Sequence, residues 1–417
     1  MLALALFGTA CTEEPSVPAL TWYINPDNGG QALLAEQCSR ASGGKYTIRV
    51  SILPSDATAQ REQLVRRLAA GDSSIDLMSI DLPFVAELAA AGFLRPFHAP
   101  DARALSRGML AGPLESVRWA ERLFAVPFST NTQLLWFRKS VVARTNLKLP
   151  SEPVTWAELV NAAVATGTSV EVQGRRYEGY LVWINALVAS GSGKLLLNPQ
   201  AGRDVTPGID APAGRRAAEI ISLLAHSRAA NPDLSTADEE AARLHFQGAR
   251  GGFMVNWPYV YGAAHDAVES GALGRAIFDD IGWARYPRVE SSVTSRPPLG
   301  GIALGVGAYG RHPEESVAAI RCLTSPESQK QYMLGAKLPA ARAAVYDAPE
   351  VRRAFPMAEL IRDSIASAAP RPVTPYYTDV SSAVVRTFHP PSAVDPKSTP
   401  EAAAELITLV LHDRALL

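Results

Sequence analysis

An α/β fold with a parallel sheet is predicted for this chain, on three observations. Runs of strand type and helix type alternate from Leu20 to Gly92 in units of about 30 residues, the spacing of strand–helix–strand crossovers. The strand-type runs are short and apolar, and they end in turn residues or in a carboxylate. Finally, the 417 residues suggest two or three domains, and the apolar run Leu123–Phe128 is broken by Ser129-Thr130-Asn131-Thr132-Gln133 before Leu134–Phe137 resumes. A polar break within a strand is where a chain can cross from one domain to another.

Taken in order, Leu20–Ile24 is the first strand, and it ends in the dense turn signal Asn25-Pro26-Asp27-Asn28-Gly29-Gly30. A helix follows to about Ala41 and is closed by Gly43-Gly44. Tyr46–Leu53 alternates Ile48, Val50 and Ile52 on one face, so it reads as a second strand. The helix from about Ala59 to Ala70 sets Leu64, Val65 and Leu68 along one stripe, with Gly71 capping its end. Ile75–Asp81 is an apolar strand that delivers Asp81 at its carboxyl end, and a helix from Phe84 stops at Gly92. In parallel sheets ligands bind beyond the carboxyl ends of the strands, which is where Asn25, Asn28 and Asp81 fall. Asp76, inside the strand, reads as structural.

Beyond the polar break, Thr155-Trp156-Ala157-Glu158 is a capping box, and Trp183–Val188 and Ala211–Ala225 are helical runs. Glu239–Gly262, EEAARLHFQGARGGFMVNWPYVYG, reads as a helix, a glycine turn, the strand Phe253–Val255 and a loop, because Pro258 cannot donate to a ladder. Trp257, Tyr259 and Tyr261 are expected to leave the sheet together on that loop, as a platform for a partly apolar, hydroxyl-rich ligand. Pro297–Gly301 leads into the strand Ile302–Val306, Pro313–Thr324 is a helix carrying Cys322, and Ser325-Pro326 starts the next. Arg371–Tyr377 is extended by its alternating prolines, and Glu401–Leu411 is the final helix.

Forty basic and 41 acidic residues give a net charge of -1, which lacks the electrostatic footprint of a phosphate-backbone binder, so no nucleic-acid partner is expected. Three scattered cysteines and seven unclustered histidines do not make a zinc site, and no metal or other cofactor is expected. The N-terminal MLALALFGTAC followed by a polar, proline-bearing segment has the pattern of a bacterial lipoprotein signal end. It predicts lipidation of Cys11 and anchoring to the outer face of the cell membrane. In such a compartment disulfides form, and Cys38 is expected to pair with Cys322; two separate buried thiols are the alternative.

Six motifs now stand in order: Cys11, the strand ending at Asp81, VPFSTNTQLLWFRKS, VTWAEL, FQGARGGFMVNWPY and PPLGGIALGV. Together they resemble the extracytoplasmic sugar-binding proteins of ABC importers, from Leu20 to the C-terminus. TNTQLLW, VNWP and RPVTP are most similar to the trehalose-recycling mycobacterial lipoproteins of that family, which a helix-borne Cys38 and a Cys322 after the Gly-Gly strand also match. The resemblance implies a two-lobe periplasmic-binding-protein (Venus flytrap) fold with hinge strands between the lobes. Residues 1–19 would be the signal end and linker, 20–128 plus 299–345 the N-terminal lobe, and 129–298 plus 346–417 the C-terminal lobe. It further implies a disaccharide ligand, trehalose favoured, held in the cleft by a monomeric protein that delivers it to the ABC permease subunits. The ligand contacts it carries over are Asn25, Asn28, Gln60, Asp81, Asn131, Glu239, Trp257, Tyr259, the Gly300-Gly301 backbone and Arg371. A shift of one residue would exchange Glu239 for Glu240, and the chain is shorter than those relatives between Asp279 and Pro298.

The chemistry of these residues is that of recognition. A neutral sugar presents vicinal hydroxyls that both donate and accept, and Asp, Glu, Asn and Arg carry paired planar heteroatoms that bridge them. Leaving one such buried group unpaired costs about 1 to 3 kcal/mol, so stereochemistry can be read without catalysis. Maltose-type oligosaccharides and glycerophosphodiesters are alternative ligands. Asp81 and Glu239 could also be read as a glycosidase pair, but no nucleophile elbow, phosphate loop or metal motif accompanies them, and binding without catalysis is expected.

Overall fold

The computed structural model describes residues 17–27 and 29–417, which leaves Cys11 and Asn28 outside the described residues. Its strands are β1 (Ala19–Ile24), β2 (Thr47–Ile52), β3 (Leu77–Asp81), β4 (Arg118–Trp119), β5 (Arg122–Leu123), β6 (Ala125–Thr132), β7 (Leu134–Arg138), β8 (Ser169–Glu171), β9 (Gly251–Asn256), β10 (Ile281–Ala284) and β11 (Leu299–Val306). They form two main sheets, β2-β1-β3-β11-β6 and β10-β7-β9-β8, with β4-β5 as a separate hairpin. Each sheet is the centre of one lobe.

The sheets are mixed, where strand–helix alternation predicted a parallel one. β1 pairs in parallel with β2 and β3, as expected of crossovers through helices. β11 then runs antiparallel to both β3 and β6. It enters the first lobe from the second, so no crossover helix dictates its direction. In the second sheet β7 is antiparallel to β9 and β10, and β8 is parallel to β9.

The polar run after Phe128 does not break its strand. Ser129, Thr130, Asn131 and Thr132 stay in the ladder opposite Ile302, Gly301, Gly300 and Leu299, so β6 continues to Thr132 and only Gln133 separates it from β7 of the other sheet. Two of the buried polar groups here have partners, Thr130 Oγ1 donating to the Gly300 carbonyl at 3.2 Å and Gln133 Nε2 to Gln173 Oε1 at 2.9 Å, whereas Thr132 Oγ1 and Gln133 Oε1 have none among the described residues. The chain crosses between lobes at three places: this one, the segment before β11, and residues 368–371. The second and third lie side by side, with the Leu299 amide donating to the Ala369 carbonyl at 3.0 Å and the Ala369 amide to the Pro297 carbonyl at 2.7 Å. Helices Pro349–Ala354 and Ala358–Ser367 pack on the first lobe, so the final crossing falls near Ala369 rather than after residue 345. The apolar run through Ile361 and Ile365 has its groove there, beside β6.

Both lobes bury large aromatics. Trp22 anchors the first, its indole donating to Ser79 Oγ at 3.0 Å, and in the second Trp156 meets Trp183 at a tilt and Tyr286 edge to face. Cys38 and Cys322 form a disulfide with Cα atoms 5.9 Å apart, tying the helix Gly30–Ala41 to the helix Pro313–Leu323. Bridging residues 284 apart in sequence, it removes conformations from the unfolded chain.

Candidate functional site

A cleft of about 610 Å³ lies between the lobes. The first lobe contributes strand-end residues to it: Asn25 after β1, Asp81 at the end of β3, Ser129, Thr130 and Asn131 of β6, and Gly300, Gly301 and Ile302 of β11. Leu338 and the start of the helix Ala57–Ala69 complete that wall. Asn25 Oδ1 is buried with no hydrogen-bond partner among the described residues, an acceptor that a ligand hydroxyl would satisfy. Asn131 Oδ1 accepts from the Thr132 amide at 3.0 Å, which leaves its side-chain amide as a donor. Asp76 is structural, as read: its Oδ2 accepts from the Thr21 amide at 2.9 Å.

The second lobe faces this wall with side chains that brace one another. Asp238 caps the helix Glu239–Gln247, its Oδ1 accepting from the amides of Glu240 and Ala241, while its Oδ2 receives Arg175 Nη1 at 2.7 Å. The Arg175 guanidinium lies 4.3 Å from the centre of the Tyr177 ring, and the Tyr177 hydroxyl donates to Glu239. Burial pushes the Glu239 carboxyl up, against the pull of that hydroxyl. Both adjacent glutamates line the cleft, Glu239 held by the Tyr177 hydroxyl and Glu240 paired with Arg243 at 2.8 Å.

The VNWP motif explains how Trp257 is placed. Asn256 is fully buried; its Nδ2 donates to the Glu239 carbonyl at 2.9 Å and its Oδ1 accepts from the Trp257 amide at 2.8 Å. One side chain therefore ties together the backbones of Glu239 and Trp257. Trp257 reaches across to the first lobe: a Cβ built on Gly300 would meet its ring at 2.9 Å, so only glycine admits this approach.

Tyr259 and Tyr261 are not on a loop with Trp257. Pro258 adopts helical backbone and opens the helix Tyr259–Glu269, because its fixed φ suits the first turn as well as it ends a strand. Tyr259 lies outside the cleft lining, its hydroxyl beside Glu240, and Tyr261 packs on Phe278 and Trp283. Gln60 is also outside the lining: it is buried and donates to the Pro54 carbonyl at 2.8 Å.

At the back of the cleft sits Arg371, only 6% exposed, on the crossing segment. Its guanidinium donates to Asp81 of the first lobe, at 2.8 and 3.3 Å, and to Glu178 of the second at 2.7 Å. Glu178 also accepts from the hydroxyls of Ser381, at 2.7 Å, and Tyr377. Desolvation pushes its carboxyl up; the guanidinium and the Tyr377 hydroxyl pull it back. Arg175, Tyr177, Glu178 and Asp238 were not among the residues singled out from sequence. A signal was present: GRRYEG places charge and an aromatic directly before a helix, Glu178–Ser190, whose remaining residues are all buried.

The arrangement can hold a polar ligand of modest size from two sides. Among the described residues no group of histidine, cysteine and carboxylate side chains could hold a metal, and no helix is long and apolar enough to cross a membrane. The family model described as bacterial extracellular solute-binding protein matches residues 30–330. The chain is 25% identical to a probable ABC transporter-binding protein of Deinococcus radiodurans, over 93% of this chain and 92% of that one. Its fold is similar to that of maltose-bound MalE3 of T. maritima, with a TM-score of 0.80, 26% identity and 95% and 100% of the two chains covered. It is likewise similar to the GacH receptor of Streptomyces glaucescens, solved unliganded and with acarbose, at a TM-score of 0.77, 21% identity and 95% and 98% coverage. The chain belongs to the bacterial extracellular solute-binding protein family, and its role is that of the substrate-binding component of an ABC transporter rather than of an enzyme.

Proposed function

We propose that the cleft binds an uncharged disaccharide, trehalose or a sugar close to it, and presents it to the permease. The observation that carries this reading is the pairing of the two walls: planar polar groups from both lobes surround a space bounded on one side by the Trp257 indole. Such a site matches the hydroxyls and the apolar ring faces of a sugar together. The charge of the lining supports a neutral ligand. It holds six carboxylates, Asp56, Asp81, Glu178, Asp238, Glu239 and Glu240, against two guanidiniums, Arg175 and Arg371, both already paired with carboxylates. A glycerophosphodiester would find no free cation among the described residues of the lining.

Ligand touching both walls favours the closed form by the difference in its affinity for the two states, and a permease can read that shape. A maltose-type ligand is the second reading, favoured by the maltose bound to the T. maritima relative. Thermal-shift screening of the purified protein against trehalose, maltose, longer maltodextrins and glycerophosphocholine, followed by calorimetry, separates these. Trehalose giving the largest stabilisation supports the proposal, whereas a preference for maltodextrins or for the phosphodiester overturns it. Lipid anchoring through Cys11 belongs to the same reading. Mass spectrometry of the mature protein from its membrane checks it, and an unmodified Cys11 removes it.

A further inference from the structure

Arg371 is the cleft's most deeply buried cation, and a buried arginine is ordinarily a strong binder of phosphate and carboxylate groups. Here it is committed elsewhere. Asp81 takes it from the first lobe and Glu178 from the second, and Glu178 is itself locked by Tyr377 and Ser381, both on the helix Tyr377–Phe388. Two carboxylates on one guanidinium leave an excess of one negative charge at the back of the cleft. We propose that Glu178 is a specificity-determining residue of this site: by neutralising Arg371 from the second lobe it makes the cleft reject phosphorylated and other anionic sugars while leaving the guanidinium's remaining N–H donors for hydroxyls.

The geometry supports a role in selection beyond simple packing. Arg371 lines the cleft with Nη1 and Nη2 both engaged by carboxylates, and its Nε is buried without a partner among the described residues, so no part of its charge stands uncompensated toward a ligand. An anion brought up to this guanidinium would sit close to both carboxylates with little water between, where like charges are poorly screened. Removing the Glu178 charge while keeping its shape would leave Arg371 facing one carboxylate, Asp81, in place of two, so an anion brought to it would meet less repulsion.

This inference rests on the cleft being a sugar site, and the experiment separates the two. Calorimetry compares trehalose with trehalose 6-phosphate on the wild type, Glu178→Gln and Tyr377→Phe. The wild type is expected to prefer trehalose by at least ~100-fold, and Glu178→Gln to narrow that ratio at least ~10-fold. Tyr377→Phe, which keeps the carboxylate and loses only one of its hydroxyl supports, should keep the rejection. A wild type that binds both sugars equally, a Glu178→Gln ratio equal to the wild-type ratio, or a Tyr377→Phe ratio relaxed as far as that of Glu178→Gln, overturns the proposal. If no neutral saccharide binds the wild type, the sugar reading itself fails. Thermal shift with inorganic phosphate then judges Glu178 alone: stabilisation of Glu178→Gln but not of the wild type supports the assignment, and equal responses refute it.

Discussion

The two walls of the cleft are built on different principles. On the first lobe, Asp81, Asn131, Gly300 and Gly301 sit on β3, β6 and β11, and the strand ladder fixes them. On the second, side chain braces side chain: Asp238 holds Arg175, Arg175 lies on Tyr177, Tyr177 holds Glu239, and Asn256 ties Glu239 to Trp257. The contrast teaches where substitutions should be felt. Changes that disturb the ladder or the ion pair of the first wall should reach stability as well as affinity, whereas changes to the second wall, or to the point where Trp257 touches the first, should act on affinity with the fold intact.

The largest effects test that division directly. Trp257→Ala should lower trehalose affinity by at least ~100-fold in calorimetry with little change in melting temperature, since the indole packs on a glycine across the cleft. Asp81→Ala should lose affinity to a similar degree and also stability, because breaking a buried ion pair costs about 3 to 5 kcal/mol. Denaturant unfolding of both variants decides it, and equal stability losses would erase the distinction between the walls.

Neighbouring glycines sharpen the comparison. Gly301 has φ of 142°, and a Cβ there would meet the Ser129 carbonyl oxygen at 2.5 Å, so Gly301→Ala strains the ladder and should cost about 1 to 3 kcal/mol of stability. Gly300→Ala meets only the far end of the Trp257 ring and should instead weaken binding by about tenfold with the melt unchanged. The reverse pattern would place Trp257 elsewhere in solution.

Glu239 carries a trade-off that pH exposes. Burial raises its folded-state pKa above the unfolded value, so the folded protein holds a proton that the unfolded chain releases. Wild-type stability from this group is therefore present below the unfolded pKa and lost as pH rises through the folded one. Glu239→Gln should weaken sugar binding by about tenfold, yet melt higher than the wild type near neutral pH, the gap closing on acidification toward pH ~4.5. A gap independent of pH would show that the carboxyl is not desolvated. The smallest effect belongs to Gln60→Ala: its amide serves the Pro54 carbonyl, so about 1 kcal/mol of stability should go and affinity should stay.

The sequence made the first wall more legible than the second. Asp81 lies at the carboxyl end of an apolar strand, and Asn25 follows a strand into a turn, so chain order places them at the sheet's ligand edge. Asn131 was assigned to a strand break, yet it faces the cleft from within the ladder, because cross-strand pairing with β11 overrides the polar run. Glu178 was missed because its placement depends on Arg371, Tyr377 and Ser381, roughly 200 residues further on, and Tyr177 because its hydroxyl is held by Glu239, 62 residues away; no local pattern encodes either contact. Tyr259 misled because proline closes strands and opens helices equally well. The mixed sheet was hidden for a related reason: the direction of β11 is set by a return from the other lobe.

The central claim is that one neutral sugar is gripped by both walls at once. A crystal structure of the protein grown with trehalose tests it most directly. The account predicts the disaccharide between Asp81 and Asn131 on one side and Glu239 and Trp257 on the other, with Arg371 donating to a hydroxyl from behind. A sugar contacting one wall alone, or bound outside the cleft, would contradict it.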